Sequence, residues 1–108
     1  MKKNRLLAVA ACSALLSLPA FAGDAEAGKQ KAQPCEGCHG ADGNSETPAF
    51  PRLAGQYQDY LLHVLQQYKS GKRENAIMSE IVSELSEQDL EDLAAYYARQ
   101  EGLKNLQR

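Results

Sequence analysis

Residues 35–39 form the pentapeptide Cys-Glu-Gly-Cys-His, which brings two thiols and one imidazole close together in the chain. If this segment is helical, Cys35 and Cys38 lie about one turn apart on the same side of the helix. Two thiols at that spacing can bond to the two vinyl groups of a porphyrin, and C-x-x-C-H is the motif that attaches haem covalently. His39 would then lie beneath the iron as its proximal ligand. The pentapeptide therefore predicts one covalently attached haem c.

An iron with a single histidine ligand needs a second protein ligand if it is to pass electrons without binding gases. Met78 is the only methionine besides Met1, and we expect it to lie in a non-helical segment between two helices. A lone methionine is often only core filler, and that alternative stays open. A thioether opposite a histidine raises the reduction potential of an electron carrier, so we expect Met78 to be the second axial ligand.

Two other chemistries use the same residue types. A C-x-x-C pair can be a redox-active dithiol, but such a pair usually begins a helix within a βαβ pattern, which this sequence lacks. Four side chains could instead bind zinc, namely Cys35, Cys38, His39 and His63. Adjacent zinc ligands at positions 38 and 39 would form a strained chelate, and helical spacing places His63 on a polar face. We therefore expect His63 to be a solvent-exposed surface residue.

The first 22 residues have the three parts of a secretory signal peptide. Met1 to Arg5 is basic, an apolar stretch runs from Leu6 to Leu18, and Ala20-Phe21-Ala22 matches an A-x-A cleavage site. The apolar stretch is shorter than the roughly 20 residues of a membrane-spanning helix. We expect residues 1–22 to be removed on export to the periplasm, and residues 23–108 to form a single domain without stable membrane insertion.

Cys12 gives the same segment a second interpretation. Val9-Ala10-Ala11-Cys12 loosely matches a lipoprotein cleavage box, which would make this cysteine a lipid anchor. The apolar stretch continues beyond Cys12 and a better cleavage site follows, so we favour the secretory signal. After cleavage at Ala22, Cys35 and Cys38 would be the only cysteines in the chain.

The charge of the chain argues against nucleic acid as a partner. The predicted signal contains three of the twelve Lys and Arg residues, so the remaining chain would carry nine of them against fourteen Asp and Glu residues. An acidic carrier would be steered towards a basic patch on another redox protein. The sequence does not place these charges around the haem edge.

The elements that must position the haem ligands are helices, because alternating and β-branched runs are absent. Asp24 can cap a first helix that runs to about Ala32, and Pro34 should keep Gln33 out of helical geometry. Residues 40–55 are rich in Gly, Pro, Asn and Ser and predict a long loop.

Two further helices follow this loop. Residues 57–70 have helical spacing, and Gly71 should end that helix. Its apolar stripe consists of Tyr57, Leu61, Val64, Leu65 and Tyr68. Ser86 and Asp89 form a capping box for the last helix, which we expect to stop at Gly102. Its predicted buried face consists of Leu90, Leu93, Ala94 and Tyr97. We predict an all-α fold of three main helices wrapped around one haem.

Residues 23–101 resemble the class I c-type cytochromes, and in particular one half of a protein of the bacterial dihaem cytochrome c4 group. The resemblance is carried by Gly23 to Lys29, Cys35 to Ser45, Phe50 to Gln56, Tyr60-Leu61, Tyr68 to Gly71, Met78, Leu85 to Leu90 and Leu93 to Tyr97. It implies thioethers at Cys35 and Cys38, iron ligation by His39 and Met78, and a hydrogen bond from His39 to the carbonyl of Pro51. It also implies that Gly28 lies where the first helix crosses the last one, against Tyr96 or Tyr97.

We therefore expect a periplasmic monohaem electron carrier, not an enzyme, which exchanges electrons with other redox proteins as a monomer or in weak transient complexes. Leu61, Val64, Leu65, Tyr68 and Met78 would shield the porphyrin, and Pro51 would line the same pocket. One alternative is a haem subunit held permanently by a dehydrogenase or oxidase. Another is a haem enzyme or gas sensor with an open iron, in which Met78 is not a ligand.

Overall fold

The computed structural model describes residues 7–15 and 22–103. Five α-helices and no β-strand occur in these residues. In chain order they are α1 (Ala25–Lys31), α2 (Gln33–His39), α3 (Gln58–Ser70), α4 (Ala76–Ser83) and α5 (Glu87–Ala98). The all-α prediction is confirmed, with α1, α3 and α5 as the expected helices and α2 and α4 as two short additional ones.

Both ends of the chain extend past the described residues. The predicted signal peptide, residues 1–22, falls largely there, because residues 1–6 and 16–21 are not described. Residues 7–15 are exposed and have no regular secondary structure. The tail at 104–108 also lies outside the described residues. No described helix has the length and apolar character needed to cross a membrane.

The junction between α1 and α2 departs from the prediction at Gln33. Asp24 caps α1 as expected and accepts hydrogen bonds from the backbone nitrogens of Glu26 and Ala27 at 2.9 and 3.3 Å. The helix is interrupted at Ala32, however, and Gln33 is the first residue of α2. The prediction for Gln33 is wrong because Pro34 falls in the first turn of a new helix, where the missing N–H group carries no cost.

Helix α3 ends where the sequence predicted and begins one residue later, at Gln58. Gly71 follows its last residue with φ +79°, in the left-handed region that favours glycine, and its N–H group donates to the carbonyl of Tyr68 at 3.4 Å. The expectation of a non-helical segment around Met78 is wrong. Met78 belongs to α4, whose first turn is capped by the side chain of Asn75. This helix was missed because eight residues are too few to establish a helical period.

Helix α5 has the predicted capping box. The Ser86 hydroxyl accepts from the Asp89 backbone nitrogen at 3.2 Å, and the Asp89 carboxylate accepts from the Ser86 nitrogen at 2.9 Å. The helix ends at Ala98, so Gly102 does not stop it as expected. Gly102 instead lies against the long loop, where a Cβ atom would come within 2.6 Å of Ala54.

The core is built around α5, which packs against α1 on one side and α3 on the other. The predicted buried face is confirmed, with Leu90, Leu93 and Ala94 each no more than 2% exposed. Helices α1 and α5 cross at Gly28, where a Cβ atom would lie only 2.0 Å from the carbonyl oxygen of Asp92 and 2.8 Å from Tyr96 Cβ. Only glycine permits this crossing, as the resemblance implied.

A buried carboxylate joins the same two helices. Asp92 is 2% exposed and accepts hydrogen bonds from the Asp24 backbone nitrogen at 2.8 Å, Lys31 Nζ at 2.6 Å and Gln88 Nε2 at 2.9 Å. Lys31 Nζ also lies 2.8 Å from an oxygen of Asp89. The Lys31 ammonium lowers the pKa of Asp92, and together with hydrogen bonds from Ser86 it lowers the pKa of Asp89 to about 2. This cluster stabilises the α1–α5 crossing with charge-assisted hydrogen bonds.

Candidate functional site

A single cleft brings together every site residue predicted from the sequence. It lies between α2, the long loop, α3, α4 and α5, and has a volume of about 380 Å³, within the range of roughly 300–1,000 Å³ that is typical of cofactor sites. We call it the apolar cleft, because aliphatic and aromatic side chains form most of its wall. The predicted residues that line it are Cys35, Cys38, His39, Pro51, Leu61, Leu65, Tyr68 and Met78.

Helix α2 presents the two cysteines to the apolar cleft. Cys35 and Cys38 are both half-buried free thiols, and the helical conformation of residues 33–39 places them about one turn apart. Burial raises the pKa of the Cys35 thiol. The two sulfur atoms therefore belong to one helix face and meet the same apolar space.

A hydrogen bond and a ring contact hold the His39 imidazole in one orientation. It is 5% exposed, and its Nδ1 lies 2.8 Å from the carbonyl oxygen of Pro51. A carbonyl can only accept, so Nδ1 carries the proton and Nε2 keeps a free lone pair. The edge of the Phe50 ring adds a second contact, with 6.5 Å between the ring centres. This arrangement fixes the orientation of the ring and leaves Nε2 available as a metal ligand.

The long loop is fastened at several points, which fixes the position of Pro51. The backbone nitrogens of Leu53 and Ala54 donate to the carbonyl of Gly43 at 2.8 and 3.2 Å. Farther along, the carbonyl of Ala54 accepts from the Leu103 nitrogen at 2.8 Å, and the Asn44 side chain donates to the carbonyl of Glu101 at 2.8 Å. The loop is therefore tied both to itself and to the chain that follows α5.

Helix α3 supplies one wall of the cleft through its apolar stripe. Leu61, Val64, Leu65 and Tyr68 all line the cleft, as their spacing of three and four residues along α3 predicted. His63 lies outside this stripe and is exposed, also as predicted. No three His, Cys, Asp or Glu side chains in residues 7–15 and 22–103 are placed to hold a metal ion.

Helix α4 supplies Met78, which is half-buried and lines the cleft with Ile81. The Asn75 side-chain oxygen accepts hydrogen bonds from the backbone nitrogens of Ile77 and Met78 at 3.1 and 3.0 Å. The cap therefore orients the turn that carries the methionine. Two large hydrophobic side chains at the cleft are exposed to water, namely Ile77, which is 57% exposed, and Tyr60, which is 46% exposed.

Helix α5 forms the floor of the cleft through Leu93, Ala94 and Tyr97, which were predicted as core residues but not as site residues. Their helical spacing indicates that they are buried, but it does not distinguish residues packed in a core from residues that line a cofactor cleft. The Tyr97 hydroxyl is the one buried side-chain polar atom of the described residues that lacks a hydrogen-bond partner. Burial raises the pKa of Tyr97 above its ordinary value.

Two arginines complete the lining, and no carboxylate side chain accompanies them there. Both Arg52 and Arg73 are exposed, and the guanidinium carbon of Arg73 lies 5.5 Å from the centre of the Tyr68 ring. This distance is typical of a cation–π contact. The sequence alone did not predict that Arg52 and Arg73 lie at the cleft. Two guanidinium groups beside an apolar space suit a flat apolar ligand with anionic substituents, such as the two propionates of haem.

The sequence pattern of the cytochrome c family matches residues 25–99, which include both cysteines, His39 and Met78. The chain belongs to the cytochrome c family. Membership implies one covalently attached haem c, and Cys35, Cys38 and His39 fit its C-x-x-C-H attachment motif. The half-buried thiol pair, the free Nε2 and the apolar lining also fit that group.

Relatives of known type include cytochrome c4 of Pseudomonas aeruginosa, which is 52% identical over 86 residues, covering 80% of this chain and 43% of that protein. Cytochrome c-554(548) of Halomonas halodenitrificans is 42% identical over 83 residues, covering 74% of this chain and 100% of that protein. The fold is also similar to the crystal structure of reduced recombinant cytochrome c4 from Pseudomonas stutzeri, with a TM-score of 0.73 and 48% sequence identity. The match covers 76% of this chain and 48% of that one. The chain thus corresponds to one half of cytochrome c4.

Proposed function

We propose that this cytochrome is a monohaem electron-transfer protein that takes one electron from a redox protein and passes it to another. The observation that carries the proposal is the convergence of Cys35, Cys38, His39 and Met78 on one apolar cleft. When bound there, the haem iron would supply the one-electron couple. The protein around it would provide attachment, ligands and exclusion of water.

Each of the four residues has a distinct role in this proposal. The Cys35 and Cys38 sulfurs form the thioethers that fix the porphyrin to α2. His39 ligates through Nε2, because the Pro51 carbonyl holds the proton at Nδ1. Met78 ligates through its sulfur from α4, and a thioether ligand raises the reduction potential.

Ligation by two protein side chains would also prevent small molecules from reacting at the iron. If His39 and Met78 both ligated the iron, oxygen, peroxide and carbon monoxide would have no free coordination position, and the site would not be catalytic. Leu61, Leu65 and Tyr68 exclude water from the cleft, and a drier site favours a higher potential. These features favour an electron carrier over a haem enzyme or gas sensor.

Electron exchange requires another protein to approach the cleft. Tyr60 and Ile77 present apolar surface in water beside it. Redox partners usually form small interfaces of less than about 1,200 Å² that dissociate quickly. We infer that the surface formed by Tyr60 and Ile77 contacts donor and acceptor proteins in weak transient complexes, and that the protein itself is a monomer.

The N-terminal segment supports a periplasmic location. Residues 1–22 combine a basic start, an apolar stretch and an A-x-A site, so we infer that they are a signal peptide and that residues 23–108 form the mature domain. A relative from Thiomonas intermedia, 39% identical over 98 residues and matching 44% of that protein, is named as a thiosulfate dehydrogenase electron acceptor. A donor of the dehydrogenase class is compatible with the proposed role here.

A potentiometric titration of the purified, haem-loaded protein tests the proposal. We expect one reversible one-electron transition, no peroxide consumption, and no carbon monoxide binding to the reduced form at neutral pH. Ready binding of carbon monoxide or turnover of peroxide would instead favour an open-iron enzyme or sensor. Co-purification of a flavoprotein or oxidase at fixed stoichiometry would favour a permanent subunit.

A further inference from the structure

Tyr97 has a buried hydroxyl group that nothing in the described protein satisfies. The residue is 3% exposed and lines the apolar cleft. An unpaired buried hydroxyl destabilises the folded protein, a penalty that phenylalanine in the same place would avoid. A tyrosine here therefore points to a partner that becomes available only when the cleft is filled.

The Tyr97 ring is packed on two sides, which fixes the position of its hydroxyl oxygen. A Cβ atom at Gly43 would lie 2.7 Å from the ring carbon Cδ1, so the backbone of the loop contacts one side of the ring. The Tyr96 ring lies 4.9 Å from it, centre to centre. The Tyr97 carbonyl also accepts a hydrogen bond from the Gly55 nitrogen at 3.0 Å. The hydroxyl oxygen thus has a fixed position, and only a group close to it can be its partner.

Cys35 is the functional group beside that hydroxyl. It packs against the core cluster that contains Tyr97, and the two side chains are close enough to shift each other's pKa, although burial is the larger cause for both. No hydrogen bond of normal geometry joins them while Cys35 is a free thiol. Thioether formation would remove the hydrogen from this sulfur and leave it only the role of acceptor, which complements a hydroxyl donor.

We propose that the Tyr97 hydroxyl donates a hydrogen bond to the Cys35 sulfur once that sulfur carries the haem. Tyr97 is then a positioning residue, which orients the Cys35 thioether relative to α5. This inference rests on the proposed attachment of haem through Cys35. The adjacent Tyr96 provides a matched control, because its hydroxyl already donates to the Ala41 carbonyl at 3.2 Å.

Resonance Raman spectra of the haem-loaded protein in H₂O and D₂O test the hydrogen bond. A hydrogen bond to sulfur is sensitive to deuteration of its donor, so we expect the carbon–sulfur stretching bands to shift in D₂O for the wild type and for Tyr96→Phe. The shift should be lost in Tyr97→Phe. The wild-type comparison needs no variant, so bands that do not shift there overturn the inference even if Tyr97→Phe folds poorly.

Two results would overturn this inference. The wild-type bands could be the same in both solvents, or the deuterium shift could persist in Tyr97→Phe. Mass spectrometry of the same samples separates this failure from failure of the proposed function. A wild type without covalent haem contradicts the attachment and the hydrogen bond together, whereas a fully loaded protein without the shift contradicts only the role of Tyr97.

Discussion

The side-chain oxygen of Asn75 lies 3.0 Å from the backbone nitrogen of Met78 and accepts its hydrogen bond. The same oxygen accepts from the nitrogen of Ile77 at 3.1 Å. One polar side chain thereby satisfies two of the free N–H groups at the start of α4. Because α4 has only eight residues, its stability depends strongly on this cap, and so does the placement of the proposed iron ligand.

Replacing Asn75 by Ala should therefore weaken the Met78 side of the cleft. We expect the free energy of unfolding to fall by about 0.5–2 kcal/mol, the usual cost of losing an N-cap. We also expect the reduced variant to bind carbon monoxide, which the reduced wild type should not, since a frayed α4 would release the methionine more often. Asn75→Ser keeps a capping oxygen and should behave like the wild type. Equal carbon monoxide binding in all three proteins would show that the cap does not support the ligand.

Substitution of Gly28 tests the crossing of α1 and α5. A Cβ atom at this position would lie 2.0 Å from the Asp92 carbonyl oxygen, so Gly28→Ala must push the helices apart. Overpacking of this kind costs roughly 1–3 kcal/mol or more, measured as loss of unfolding free energy in denaturant. The control is Gly37→Ala in α2, where no atom lies within 4 Å and the change should be neutral or slightly stabilising. If the two variants are equally stable, the close crossing is wrong.

The acid dependence of stability should report the contacts of Lys31. Lys31 lowers the pKa of Asp92, and Lys31 together with hydrogen bonds from Ser86 lowers the pKa of Asp89 to about 2 in the folded protein. Carboxyl groups of this kind are protonated more readily in the unfolded chain, where the pKa of Asp is about 3.9. Their contribution to stability is thus complete above about pH 4 and is lost as the pH falls towards 2.

Lys31→Met should consequently unfold at lower denaturant concentration than the wild type near neutral pH. The difference between the two proteins should shrink as the pH falls from about 4 towards 2, because the wild type loses the same contribution there. Lys29→Met removes an exposed lysine from the same helix and serves as the control for charge. A wild-type advantage that stays constant down to pH 2 would exclude these carboxylates as its source.

The two cysteines of α2 should differ from Cys12 in what they contribute. Cys38→Ala should leave at most one thioether and lower the yield of folded protein, since the haem would supply much of the apolar mass in the cleft. Cys12→Ala, which lies in the predicted signal peptide, should leave the mass of the mature haem protein unchanged. Intact double attachment in Cys38→Ala, measured by mass spectrometry after denaturation, would refute the role of Cys38.

Much of this architecture could be predicted because it depends on local chemistry. The caps at Asp24 and Ser86 and the stop at Gly71 define helix ends within a few residues of chain, and the spacing from Leu61 to Tyr68 defines which face is buried. The hydrogen bond between His39 and Pro51 followed from the resemblance and is present in the structure.

The remaining features depend on contacts between distant parts of the chain or on very short elements. Asn75 precedes an apolar run that is too short to show a helical period, so α4 was missed. Tyr97 has the spacing of an ordinary core residue, and only the three-dimensional structure shows its unpaired hydroxyl and its neighbour Cys35. The position of Arg73 over Tyr68 likewise depends on the conformation of the chain after Gly71.

The far-red absorption spectrum of the purified oxidised protein decides whether Met78 ligates the iron. Ligation by methionine gives a weak sulfur-to-iron band there, so we expect the band in the wild type and in Ile77→Ala, which changes the exposed neighbour of Met78. The band should vanish in Met78→Ala, with a lower reduction potential and carbon monoxide binding to the reduced form. A wild type that lacks the band and binds carbon monoxide when reduced would contradict a closed electron-transfer site.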